Sequence, residues 1–328
     1  MMAQPPASMR IVGAETVERL LPYGKLVDVL RAAFRDGMVQ PVRHHHTVER
    51  AQGAASTLLL MPAWTDFGKP EAEGHGHIGI KIVTVSPDNN ARGLPAVMGQ
   101  YLLLDGLTGA PQAIIDGQRL TARRTAAASA LAASYLARDD AAHILVCGAG
   151  ALAGQLVAAH AAVRPINRVT IWNRSMDKAA ALAARLRDAG MDAQASDDLE
   201  KAQAQADIIS CCTLSSEPLV RGDLVAPGTH VDLVGAFTPA MRESDDALMA
   251  RGHVYVDTLG GALKEGGDIV LAMQSGALTR DRVRGDLHGL ARGEVAGRSS
   301  ADEVTVFKSV GAALEDLAAA IAVYDGLD

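Results

Sequence analysis

The chain is poor in aromatic residues, with four Phe, five Tyr and two Trp among 328 residues. Its cores must therefore be built from Leu, Val, Ile and Ala. Cysteine is equally sparse: Cys147, Cys211 and Cys212 are the three present. None forms a CxxC pair and two are adjacent, which argues against a disulfide framework or a cysteine-ligated zinc site. No apolar run reaches the ~18 residues that a membrane-crossing helix requires. The opening MMAQPPASMR lacks the apolar centre of a secretion signal, so a cytoplasmic location is expected, and AQPPAS reads as a loosely held end. No block of Lys and Arg stands out and the formal net charge is −7, so nucleic acid is not an expected partner.

What is present is ordinary soluble-protein composition, 48% hydrophobic and 21% charged, in a chain long enough for two domains. Residues 14–38 carry apolar positions at helical spacing, among them Val17, Leu20, Leu21, Leu30 and Phe34. STLLLM, IGIKIVTV, 99–104 and 111–115 read as strands, with DGLTG a turn between the last two. LTARRTAAASALAASYLA then reads as a closely packing, Ala-rich helix. From ILVCGA onward, strands alternate with helices through RVTIWN, ADIISCCT, HVDLVGA and HVYVDT, to about residue 290. That alternation argues for a doubly wound parallel sheet. EVTVFKS is a further strand, and the last helix carries Leu314, Leu317 and Ile321 along one stripe.

The most informative stretch is ILVCGAGALAG, residues 144–154. Gly148, Gly150 and Ala153 fit GxGxxA, with a strand before and a helix after. The first glycine makes the turn, the second lets backbone approach a pyrophosphate, and the small third residue lets helix pack on sheet. A nicotinamide dinucleotide is the expected cofactor, which implies hydride transfer. The following strand ends in Trp172-Asn173-Arg174-Ser175. An NAD site usually places an acid there for the ribose 2′-hydroxyl. A neutral Asn173 beside Arg174 and Ser175 suits a 2′-phosphate, so NADPH is expected over NADH.

Three cations sit in unusual contexts. Arg43 follows Pro41-Val42, Lys81 interrupts the apolar IGIKIVTV, and Arg124 lies in LTARRTAA. Strand alternation allows Lys81 to point to solvent; a bound anion is the other reason to place a cation there. His44-His45-His46 splay on either a strand or a helix and do not suit one metal; no metal is expected. His75 and His77 fall in a loop-like EAEGHGH, and Asp245 and Asp246 suit a helix start. Asp286 and His288 form a lesser cleft candidate. Cys211 and Cys212 read as core.

PVR, GIKIVTV, LTARRTAA, GAGALA, VGAFTPAMRE and VFKSVG with LEDLA occur in this order. Together they resemble the ornithine cyclodeaminase and mu-crystallin family, from about residue 10 to 325. The resemblance implies a Rossmann-type domain, residues 126–295, inserted in a discontinuous α+β substrate and dimerisation domain, residues 1–125 and 296–328. It implies a homodimer. It also implies that Arg43, Lys81 and Arg124 surround a substrate carboxylate. By the same resemblance Ala151, Leu152, Asn173 and Thr213 contact the cofactor, and Val234, Ser309 and Val310 lie near the nicotinamide or substrate. Cyclodeaminases of this family resemble one another in carrying an Asp where this chain has Phe237. Phenylalanine cannot pair with an ammonium group, which leaves the reductive half of the chemistry. The chain is most similar to reductases of Δ1-pyrroline-2-carboxylate and Δ1-piperideine-2-carboxylate, with Lys81 implied as a carboxylate ligand and proton donor. A cyclodeaminase, an amino-acid dehydrogenase, and a binding protein holding NADPH and a small ligand are the alternatives.

Overall fold

A computed structural model describes residues 9–69 and 76–327. AQPPAS and His75 of EAEGHGH lie outside the described residues. The chain divides into two compact units, one of residues 1–124 and 312–328 and the other of residues 125–311.

The first unit is built on a six-stranded sheet in the order β1 (Arg10–Val12), β6 (Pro111–Asp116), β5 (Val97–Asp105), β4 (His77–Val85), β3 (Ser56–Trp64), β2 (His44–Val48). The neighbours from β2 to β6 pair antiparallel, and β1 joins β6 in parallel. The single helical pattern of residues 14–38 is two helices, α1 (Ala14–Leu20) and α2 (Tyr23–Asp36). Pro22, which has no N–H to donate, ends the first and precedes the second. β1 and β2 carry too few periodic residues to be recognised from the sequence.

The central strands alternate in a way that decides the site. In β4, Gly79 and Lys81 are buried, while Ile78, Ile80 and Ile82 are half-buried or exposed. Met61, Ala63, Tyr101, Leu103 and Ile115 share the buried face, which packs on α11 (Ala313–Tyr324). Leu58, Leu60, Leu102, Leu104 and Ile114 line the other face with the isoleucines, and Ile82 is 39% exposed. The expected apolar stripe of α11 is an almost wholly buried helix that takes Glu315 and Asp316 inside with Leu314 and Leu317.

The second unit is the parallel sheet. Its order is β13 (Val283–Asp286), β12 (His253–Val256), β14 (Thr305–Lys308), β11 (His230–Leu233), β10 (Ile208–Cys211), β7 (His143–Cys147), β8 (Arg168–Trp172), β9 (Asp192–Ser196). Chain order reverses between β7 and β10, which creates a crevice beyond the carboxyl ends of those strands. α3 (Gly117–Leu136) leads into the unit; α4 (Ala153–Ala161) and α5 (Met176–Asp188) follow β7 and β8. Val146, Ile144, Val169, Ile171 and Ile208 make one core layer, and Leu145, Ile209, Val231, Leu233 and Val306 the other.

One sequence boundary differs. EVTVFKS, assigned to the returning segment 296–328, is β14, hydrogen-bonded between β11 and β12, and the unit runs to Gly311. A strand's own pattern shows that it is buried on both faces but not which sheet takes it.

Candidate active site

The glycine turn forms as its sequence requires. Gly148 has φ of 122°, and a Cβ there would stand 2.9 Å from Cys212 Sγ, so only glycine fits. Its N–H donates to the Trp172 carbonyl at 2.8 Å, and the Cys212 N–H to the Cys147 carbonyl at 2.9 Å. These bonds hold the ends of β7, β8 and β10 together. A Cβ on Gly150 would meet nothing within 4 Å, so the backbone there faces open space. No side chain caps α4 at Leu152, which leaves its first turn suited to an anion.

Gly148, Gly150, Trp172, Asn173, Arg174 and Thr213 line a cavity of about 270 Å³, walled further by Cys212, Leu214, Ser215 and Leu219. A second hollow of about 270 Å³ is lined by Gly150, Asn173, Arg174, Ser175 and Lys178. Asn173 Nδ2 donates to the Ser175 carbonyl at 3.0 Å, which shapes the rim the two hollows share. Lys178, on the first turn of α5, had no motif to mark it. Ala151 and Leu152 form the turn into α4 and are outside both linings. Val234 is nearly buried after β11, and Ser309, after β14, donates its N–H to the Leu233 carbonyl at 3.1 Å. Asp257 holds the segment that follows: its carboxylate accepts from the N–H groups of Val310 and Gly311, each at 2.7 Å. Phe237 is 41% exposed on the loop after β11.

Cys211 is core, but Cys212 stands at the cavity wall, and burial pushes its thiol well up from the ordinary value. That shift disfavours the thiolate, the reactive form of the side chain.

The first unit holds a buried charge cluster. Lys81 Nζ lies 2.7 Å from Asp316 Oδ2. Arg124 Nε donates to Asp316 Oδ1 at 2.8 Å and its Nη1 to Glu315 Oε2 at 2.7 Å. Lys81 is 3% exposed, Arg124 4%, and the two carboxylates 0%. Burial, then the Arg124 charge, lowers the Lys81 ammonium from the ordinary 10.5 to about 8 against the pull of Asp316; Arg43 acts in the same direction as Arg124. Two adjacent acids hold Arg124 itself above its usual range although burial opposes them. Asp316 is lowered by Arg124 and Lys81, which outweigh its desolvation.

Lys81 and Arg124, singled out in the sequence, are thus set by two acids that were not. In LEDLA, Glu315 and Asp316 read as the polar face of a helix, and only the packing of α11 on β4 turns them inward.

The remaining candidates fall elsewhere. His44, His45 and His46 lie exposed on β2, and no metal-binding group of three or more His, Cys, Asp or Glu occurs among the described residues. Asp245 caps α7 (Asp246–Arg251), and Asp286 caps α10 (Leu287–Arg292), so its carboxylate has a structural task. No helix among the described residues is long and apolar enough to cross a membrane.

Comparison with known proteins adds three findings. The profile of the ornithine cyclodeaminase/mu-crystallin family matches residues 9–328. A Δ1-pyrroline-2-carboxylate reductase of Paracoccus denitrificans is 42% identical over 307 residues, 91% of this chain and 94% of that protein. Among solved structures, the Δ1-pyrroline-2-carboxylate reductase of Thermococcus litoralis, in complex with NADH and L-proline, superposes with a TM-score of 0.89. It is 30% identical and covers 97% of each chain. An archaeal alanine dehydrogenase dimer with bound NAD gives 0.85 at 30% identity, over 97% of this chain and 95% of that one.

Proposed function

This chain belongs to the ornithine cyclodeaminase/mu-crystallin family, and on that premise we propose that it reduces a cyclic imino acid, Δ1-pyrroline-2-carboxylate or Δ1-piperideine-2-carboxylate, to the cyclic amino acid. The observation that carries this reading is the buried cluster of Lys81, Arg124, Glu315 and Asp316. The cluster brings two buried cations, Lys81 and Arg124, to one place, and the charge of Arg43 acts on Lys81 in the same direction as that of Arg124, which suits an anionic substrate. Glu315 and Asp316 fix the plane of the Arg124 guanidinium, so the substrate meets a donor already oriented. Lys81 adds a second contact to the carboxylate and, with its proton loosened by burial, donates toward the imine nitrogen.

The hollows of the second unit fit a nicotinamide dinucleotide: an unhindered Gly150, an uncapped helix start and a polar rim at the switch point of the sheet. Bound there in reduced form, the cofactor supplies the hydride. Gly148, Gly150, Asn173 and Thr213 would hold it, with Ala151 and Leu152 at the pyrophosphate turn and Val234 and Ser309 toward the nicotinamide. Phe237 would stand as an apolar wall where an ammonium-binding acid would be needed to release ammonia from a diamino acid.

Arg174, Ser175 and Lys178 line one hollow with no carboxylate among its lining residues, which favours NADPH over NADH. Arg174→Ala is expected to raise the Kd for NADPH about tenfold, the loss of one charge-assisted contact, and to leave that for NADH nearly unchanged. Equal shifts for both would sink the preference.

The half-exposed apolar sheet face around Ile82 supports a homodimer. Ile82→Asp should then sediment as a smaller species than the wild type; an unchanged monomeric mass for both would end that reading.

The deciding assay follows NADPH absorbance with Δ1-pyrroline-2-carboxylate, beside L-ornithine and L-alanine with oxidised cofactor. Consumption in the first, with silence in the others, supports the reductase. Faster turnover of alanine would support the second reading, an amino-acid dehydrogenase, which the likeness to the alanine dehydrogenase favours.

A further inference from the structure

Glu243 stands on the loop between β11 and α7 and is 0% exposed, outside the linings of both hollows. Its carboxylate nevertheless ties Thr213, in the wall of the first hollow, to the backbone just after β11. Oε1 accepts from the Thr213 N–H at 2.6 Å and from Thr213 Oγ1 at 2.7 Å. Oε2 accepts from the N–H groups of Gly235 at 2.8 Å and Ala236 at 3.3 Å. The backbone joins in: the Glu243 carbonyl accepts from Leu219 and Val220, and the Arg242 N–H donates to the Ser215 carbonyl. Thr213, Ser215 and Leu219 are all cavity wall.

The fit is tight. A Cβ on Gly235 would stand 2.0 Å from the Thr213 carbonyl oxygen and 2.4 Å from Glu243 Oε1. Behind it, Asp268 Oδ1 accepts from the N–H groups of Glu243 and Ser244, each at 2.8 Å, and Lys308 Nζ lies 3.1 Å from Asp268 Oδ2. Burial raises the Glu243 carboxyl above the usual range, and the fully buried Lys308 opposes that rise. A buried carboxylate with four donors is costly to place and rigid once satisfied.

We propose that Glu243 is a positioning residue for the dinucleotide, fixing Thr213 and the 213–219 wall to the end of β11 so that the cavity is formed before the cofactor arrives. The proposal rests on the reading of that cavity as the dinucleotide site.

Trp172 lies in the cavity wall, so NADPH binding can be followed by quenching of tryptophan fluorescence. Glu243→Gln places an amide N–H₂ against N–H donors, and the Kd should rise on the order of tenfold. KM for NADPH should rise with it, by more than kcat at saturating NADPH falls. A brace that serves stability alone would lower the unfolding temperature and leave the Kd, measured well below it, where it was; that result overturns the proposal while the cavity keeps its assignment. Wild-type protein that quenches with neither NADPH nor NADH overturns both. Glu243→Asp keeps the charge and draws the carboxylate one methylene back from Thr213, at a residue outside the cavity lining, so it decides the matter if Glu243→Gln does not fold. A roughly threefold weaker Kd is expected, and an unchanged one counts against the proposal.

Discussion

Replacing Lys81 by methionine is expected to lower turnover of the cyclic imine by about two to four orders of magnitude at saturating substrate, the span that a positioned proton donor contributes. Methionine keeps the length and apolar stem of the side chain and removes the proton and the charge. If Lys81 served binding alone, KM would rise and kcat would stand, and steady-state kinetics separate the two outcomes. The pH profile is an independent check. The donor must carry its proton, and burial with Arg124 close by brings Lys81 down to about 8. Turnover should therefore hold below that pH and decline as pH rises through it. A flat profile between pH 7 and 9 would remove Lys81 from proton transfer.

The second large effect concerns Asp316, which touches both cations. Asp316→Asn keeps the shape and removes a charge that faces Lys81 at 2.7 Å and Arg124 at 2.8 Å, in a place closed to water. Removing one partner of a buried ion pair costs about 3 to 5 kcal/mol, because the remaining charge is left uncompensated. Urea denaturation should show a loss of about that size, with the midpoint moving to lower denaturant. The activity profile should shift as well. Asp316 is the group that holds the Lys81 proton on, so without it the alkaline decline should begin at lower pH. Unchanged stability together with an unmoved profile would mean that the three side chains do not act as one electrostatic unit.

These two variants probe residues that stood very differently in the sequence. Lys81 was visible because a cation between Ile80 and Ile82 is out of place in an apolar strand. Its direction was not visible: alternation says that neighbours point to opposite faces, and here the isoleucines took the more exposed one. Asp316 lies in a helix whose sequence marks a buried side by its leucines alone. Glu243 and Lys308 lay inside motifs that could be recognised without revealing that each was wholly buried.

The sequence by itself determined the local chemistry: the strand, turn and helix around Gly148, the neutral Asn173 beside Arg174, the cations at Lys81 and Arg124, and the alternation that makes a parallel sheet. Each depends on residues adjacent in the chain, where steric limits and periodicity act directly. Tertiary structure decided the rest: which sheet received β14, which acids met Lys81 and Arg124, and which carboxylate braced the cavity wall. The reason is physical. An acid becomes an electrostatic partner only when packing removes the water around it, and the packing that does so joins β4 to α11, more than two hundred residues apart in the chain.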